Sequence, residues 1–247
     1  MLPWIMIFGI KIPTYNLMLG CGLLGMIYCI LRQISTDSDI RKSENLILAV
    51  IPFALFGGVI TAFYFDALFH GRELLTLTHQ QIGFTFFGFL YGYIGALVLY
   101  SVFSGLQVRF ILNLLLPPLA LAQGFGRIGC FLGGCCYGCP SNLGIAFPVG
   151  TLPWQRWGET KLFPVQLVEA ILLFLLYLIL CKIIFRLRAV WYLVSISTVR
   201  FFLEFWRGDE RGSLFFHGLS PAQTLSLGLL LLGCFLMLGG KEKKQQS

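Results

Sequence analysis

Ile47-Leu-Ala-Val-Ile-Pro-Phe-Ala-Leu-Phe-Gly-Gly-Val-Ile-Thr-Ala-Phe-Tyr-Phe-Asp-Ala-Leu-Phe69 runs for 23 residues with one charged side chain, Asp66. About 20 apolar residues in a helix cross the roughly 30 Å of hydrocarbon in a bilayer, so this stretch reads as a transmembrane helix. Six more stretches read the same way: 15–31, 83–104, 108–130, 164–185, 188–206 and 218–239. Composition agrees. Hydrophobic residues make up 57% of the 247 and charged residues 12%, about half the charged share of a soluble domain. A soluble enzyme, a disordered chain and a fibrous repeat are excluded. The expectation is an all-α polytopic membrane protein, a seven-transmembrane helical bundle. Gly88-Phe-Leu-Tyr-Gly92 has the small-xxx-small spacing that lets membrane helices approach closely.

The 18 Lys+Arg against 11 Asp+Glu give a formal charge of +7. No basic run sits in a fold that would present it to nucleic acid, so no nucleic-acid partner is expected. Basic residues near a bilayer set orientation and attract anionic headgroups. With the N-terminus outside, ten fall on inward segments and seven on outward ones, which favours N-out, C-in. The chain then divides into one domain over 1–240, with an outward-facing loop at about 131–163, and a basic cytoplasmic tail at 241–247. Met1–Tyr15 contains Pro3 and Pro13 and no basic n-region, and does not read as a cleaved signal peptide.

Ionisable residues inside apolar sequence carry the functional signal. Arg127 stands in Gln123-Gly-Phe-Gly-Arg-Ile-Gly129, and Arg200 and Glu204 stand four apart before Arg207. A charge at the centre of a spanning helix costs about 2.5–3.5 kcal/mol on insertion scales, so it faces a partner or a cavity. Spacing i,i+4 puts Arg200 and Glu204 on one helix face. Two readings stand: an ion pair stapling helices, or an anion site for a lipid phosphate. Glu169 is available as a second carboxylate. Gly124, Gly126, Gly129, Gly133 and Gly134 allow backbone to approach a ligand, and guanidinium with exposed N–H groups suits phosphate.

Cys130, Cys135, Cys136 and Cys139 fall within ten positions. They read as small residues in a crowded turn, as a disulfide on an oxidising face, or as metal ligands. With one C-x2-C pair and no nearby His, the metal reading is the weakest of the three, and no metal or cofactor is expected. His70, His79 and His217 read as interfacial. No Ser-His-Asp, GxSxG or HExxH arrangement is present, so ordinary hydrolase chemistry has no support.

Several segments, in order, resemble the prolipoprotein diacylglyceryl transferase family of bacteria. Gly126-Arg-Ile-Gly-Cys-Phe-Leu-Gly-Gly-Cys-Cys-Tyr-Gly138 resembles its G-R-I-G-N-F-x-N-G-E-x-x-G signature, and Pro164-Val-Gln-Leu-Val-Glu169 its P-x-Q-L-Y-E element. Arg200-Phe-Phe-Leu-Glu-Phe-Trp-Arg207 resembles R-F-x-x-E-F-x-R, and Gly83-Phe-Thr-Phe-Phe-Gly-Phe-Leu-Tyr-Gly92 resembles G-x-S-F-H-G-G-L-x-G. Tyr15-Asn-Leu-Met is similar to the early Y-G-L-M, and Leu219-Ser-Pro-Ala-Gln223 to the polar start of the last span. The likeness covers nearly the whole chain.

The resemblance implies seven spans, N-out and C-in, in the bacterial cytoplasmic (inner) membrane. It implies transfer of a diacylglyceryl group from phosphatidylglycerol to the cysteine thiol of a prolipoprotein lipobox, giving a thioether and releasing glycerol phosphate. Arg127, Arg200 and Glu204 match catalytic positions, and Tyr15, Gly126, Gly129, Gly138, Gln166 and Arg207 match substrate-binding ones. Among the departures from the pattern, three bear on whether the activity carries over: Phe87 stands for histidine, Cys130 for asparagine and Cys135 for glutamate. Two other readings remain: a non-catalytic phospholipid-binding paralogue and a membrane thiol redox protein.

Overall fold

The structure, a computed structural model, describes residues 3–7, 9–71, 84–209 and 218–238. A short antiparallel hairpin, β1 (Trp4–Ile7) and β2 (Ile10–Pro13), comes first. Lys11 Nζ lies 5.0 Å over the Trp4 ring. Pro13 leads directly into α1 (Thr14–Thr36). The four-residue α2 (Ser38–Arg41) is capped by Asp37, whose carboxylate accepts from Asp39 N at 2.9 Å and Ile40 N at 3.3 Å. Then come α3 (Glu44–Phe69), α4 (Phe86–Ser104) and α5 (Val108–Gly133). The segment that follows holds β3 (Pro140–Ile145) and α6 (Leu152–Trp157). Helices α7 (Val165–Lys182), α8 (Arg188–Leu203) and α9 (Pro221–Leu238) complete the order.

The sequence expectation of an all-α polytopic membrane protein is met: α1, α3, α4, α5, α7 and α9 are each long and apolar enough to cross a membrane. The expected span at 188–206 takes another form. It is the 16-residue α8 followed by a 3-10 turn over Glu204–Trp206. At 1.5 Å per residue α8 is about 24 Å long, short of the roughly 30 Å hydrocarbon layer. The other helices begin and end within a few residues of expectation. The last begins at Pro221, a residue suited to a first helical turn because it has no N–H to leave unpaired. Gly83, His79, His217 and the tail at 241–247 lie outside the described residues.

Helix α5 is the axis of the bundle and packs against α1, α7, α8 and α4. Its Leu112, Leu114, Leu115, Leu116 and Leu119 are buried together with Met26, Ile30, Leu90, Leu97, Leu173, Tyr192 and Leu193. The outward faces are apolar as well: Leu24, Phe56, Val102, Phe103, Leu231 and Phe235 are two-thirds or more exposed. Lipid tails cover such residues where water would not. The small-xxx-small expectation on α4 is met in detail. A Cβ on Gly88 would sit 2.8 Å from the Thr61 carbonyl oxygen, and Thr61 Oγ1 donates to the Gly88 carbonyl at 2.8 Å. Helices α3 and α4 therefore touch backbone to backbone.

Candidate active site

Glu169 is the centre of the polar interior. It lies on the first turns of α7, is 1% exposed, and each of its oxygens meets a different guanidinium. Arg127 Nε on α5 lies 3.0 Å from Oε1, and Arg200 Nη1 on α8 lies 2.9 Å from Oε2. One carboxylate thus joins three helices. Glu204, one turn after Arg200, places Oε2 3.5 Å from Arg200 Nη2, and Ser220 Oγ donates to its Oε1 at 3.1 Å. The expected i,i+4 pair therefore exists, but the closer partner of Arg200 is Glu169. Arg207 is held by Asp209 in a two-pronged pair, Nε–Oδ1 and Nη2–Oδ2 both at 3.0 Å.

A cavity of about 360 Å³ opens beside this set. Tyr15, Gln123, Gly126, Arg127, Glu169 and the sulfur-bearing Cys130, Cys135 and Cys136 form its polar end. Leu19, Leu23, Met26, Leu55, Phe84, Phe86, Phe89, Leu119 and Leu173 form the rest. Arg200 lies behind Glu169 and is 1% exposed. Phe87, also 1% exposed, presents its ring 5.8 Å from the Arg200 guanidinium carbon, while Phe86 stands 5.7 Å from that of Arg127. Two aromatic faces thus back the two cations.

Of the residues expected at the site, Arg127, Tyr15 and Gly126 border the cavity. Gly129 supports it from behind: its added Cβ would lie 3.2 Å from Tyr15 and Met18 side chains, so α1 fits closely over α5. Arg200 and Glu204 join the charged set without bordering the cavity. Gln166, Gly138 and Arg207 belong to the adjoining wall. Gln166 Nε2 donates to the Cys135 carbonyl at 2.7 Å. Gly138 bridges to Arg207, with no room for a side chain against the Phe163 and Trp206 carbonyls.

Two features were not read from the sequence. Gln123 Nε2 donates to Tyr192 OH, tying α5 to α8, and Ser220 secures Glu204. A polar residue at the entry of the last span was the available signal for Ser220. Outside the spanning segments, the Cys136 thiol is drawn well below the ordinary thiol range. Hydrogen bonds from Cys130 and Cys135 are the largest cause, with the Arg207 and Arg127 charges adding to them against burial. His70 keeps Nδ1 2.8 Å from the Asp66 carbonyl oxygen, at the end of α3 and away from this cavity.

A cavity of about 360 Å³ with largely apolar walls and one guanidinium in its lining suits an anionic group carried beside apolar parts, and the family comparison points the same way. The model of the prolipoprotein diacylglyceryl transferase family matches residues 3–239. The chain belongs to this family. It is 30% identical over 255 residues to a phosphatidylglycerol–prolipoprotein diacylglyceryl transferase of Clostridium tetani, covering 97% of each chain. It is 32% identical over 242 residues to a second such transferase of Clostridium perfringens, covering 93% of this chain and 91% of that one. A Dehalococcoides mccartyi transferase is 26% identical over 255 residues. Family membership and the six apolar helices make this a multi-pass membrane protein.

Proposed function

We propose that the protein transfers a diacylglyceryl group from phosphatidylglycerol to the cysteine thiol of a prolipoprotein, at the outer side of the bacterial cytoplasmic membrane. The observation that carries this reading is the cavity with Arg127 at its polar end and apolar walls beyond. Such a shape accepts a phosphate at the guanidinium and acyl chains along Leu19, Leu23, Met26 and Phe89.

The chemistry follows from the charges. The acceptor sulfur attacks the glyceryl carbon, the carbon–oxygen bond breaks, and the bonding pair stays with the departing glycerol phosphate. Arg127 stabilises that growing negative charge, as a fixed donor does where charge develops. Arg200 and Glu204 act through Glu169: they hold it where it aims Arg127 into the cavity, so they are positioning residues. Tyr15, Gly126 and Gly129 shape the headgroup end, and Gly138, Gln166 and Arg207 brace the wall that carries Cys135 and Cys136.

The same reading takes α8 as a seventh crossing, with N-terminus out and C-terminus in. It places the 131–163 segment on the outer face, where a lipobox peptide arrives, and the tail at 241–247 in the cytoplasm. The test is complementation. In a bacterium depleted of its own transferase, expression of this chain restores lipid-modified lipoprotein and growth. Accumulation of unmodified precursor despite membrane-inserted protein rejects the proposal.

A further inference from the structure

Three sulfurs share the cavity wall with Arg127. The Sγ atoms of Cys130, Cys135 and Cys136 all lie within 4.8 Å of one another. The end of α5 makes this arrangement. Gly134, at φ +73°, turns the chain back, so that Cys135 N donates to the Cys130 carbonyl at 3.0 Å and Gly134 N to that of Phe131 at 3.3 Å. This is the paired closure that ends a helix on a left-handed residue. Cys136 itself sits at φ +60°, a left-handed conformation that few non-glycine residues adopt. Cys139 is turned away and donates through Sγ to the Arg207 carbonyl at 3.0 Å. The C-x2-C pair seen in the sequence is therefore not the pair that the fold brings together.

With zinc–sulfur distances of about 2.3 Å, three sulfurs around one zinc ion stand about 3.8–4.0 Å apart. Sulfurs within 4.8 Å of one another exceed that spacing by no more than about 1 Å. Thiolates select zinc and softer ions over magnesium and calcium, and the guanidinium groups of Arg127 and Arg207 favour anionic sulfur nearby.

We propose that Cys130, Cys135 and Cys136 bind a zinc ion through three thiolates and leave its fourth position open to the cavity for the acceptor thiol. The proposal rests on the transfer reading, because the acceptor must become a thiolate before it attacks. The other titratable groups among the described residues lining the cavity are Tyr15, Arg127 and Glu169. Glu169 is already shared by two guanidiniums and is a poor base. A thiol that ligates the zinc loses its proton to solvent. Its sulfur pair then forms the bond to the glyceryl carbon, glycerol phosphate leaves with the broken bond's pair toward Arg127, and the neutral thioether departs from the metal.

The test uses full-length purified protein, reduced, stripped by chelator and loaded with Zn²⁺ or Co²⁺. The expected results are one ion per chain, thiolate-to-cobalt charge-transfer absorption, and zinc protection of three thiols from maleimide, counted by mass spectrometry without any variant. Cys130→Ser, Cys135→Ser and Cys136→Ser lose the absorption, and Cys234→Ser keeps it. A lipobox cysteine peptide shifts the band, and the same peptide with serine in place of cysteine does not. The proposal is overturned by wild type that binds no stoichiometric metal, by absorption that survives the three serine variants, or by a band indifferent to the cysteine peptide. These readouts need no phospholipid. Failure of lipid transfer therefore leaves them standing, and their failure leaves the transferase reading intact.

Discussion

Replacing Glu169 with glutamine removes a carboxylate that both Arg127 and Arg200 contact, at 3.0 and 2.9 Å, and the one that does so among the described residues. Glutamine keeps the size and leaves two guanidiniums, 9% and 1% exposed in their side chains, without their shared counter-charge. Breaking a buried ion pair by removing one partner costs about 3–5 kcal/mol. Glu204, at 3.5 Å from Arg200, offsets part of that for Arg200, so the lower half of the range is expected. At about 2–4 °C per kcal/mol for a domain of this size, about 3–4 kcal/mol lowers the unfolding midpoint by roughly 6–16 °C. Thermal unfolding in a zwitterionic detergent, followed by tryptophan fluorescence, measures this. Adding phosphatidylglycerol recovers part of the loss, because an anionic headgroup at Arg127 replaces some of the missing charge and a ligand of the folded state raises its stability. A shift under 2 °C, or an equal response to a zwitterionic lipid, would refute the reasoning that Glu169 balances charge at a phosphate site.

Arg127→Ala leaves Arg200 paired with Glu169 and so keeps the fold, while lowering transfer by about 10²–10³, the usual cost of losing one charge-stabilising donor; turnover with labelled phosphatidylglycerol measures it. Gly88→Val forces a side chain onto the Thr61 carbonyl, 2.8 Å from the first added carbon, and is expected to cost at least about 1–3 kcal/mol by overpacking, read as a lower unfolding midpoint and weaker membrane accumulation. In chelator-treated protein, Cys136 stays reactive toward iodoacetamide as pH falls below the ordinary thiol value of about 8.5. Its lowered pKa keeps the thiolate populated there, so the rate declines only as pH passes through that lower value. A rate profile centred near 8.5 would contradict this.

Much of the fold was legible because a bilayer admits few structures: with no water to pair backbone groups, an apolar run of this length must be helical. Pro117 and Pro118, inside α5, did not break that reading. The exception was 188–206, whose hydropathy described one continuous span although the chain passes at Glu204 from a 16-residue helix into a 3-10 turn. The site was legible in kind, since buried arginines demand partners. Its wiring was not. The i,i+4 rule pointed to Glu204 as the partner of Arg200, but Glu169, 31 positions away, is the closer one, and long-range partners leave no local pattern. The cysteines behaved similarly: the spacing singled out Cys136 and Cys139, while a left-handed turn at Gly134 gathered Cys130, Cys135 and Cys136.

The most direct measurement follows both products of one reaction. Purified protein in detergent with phosphatidylglycerol and a lipobox cysteine peptide should yield a diacylglyceryl thioether on the peptide and an equal amount of free glycerol phosphate, both nearly absent with Arg127→Ala. Headgroup release without peptide modification, or equal product from wild type and Arg127→Ala, would contradict a phosphate-holding arginine at the cavity's end.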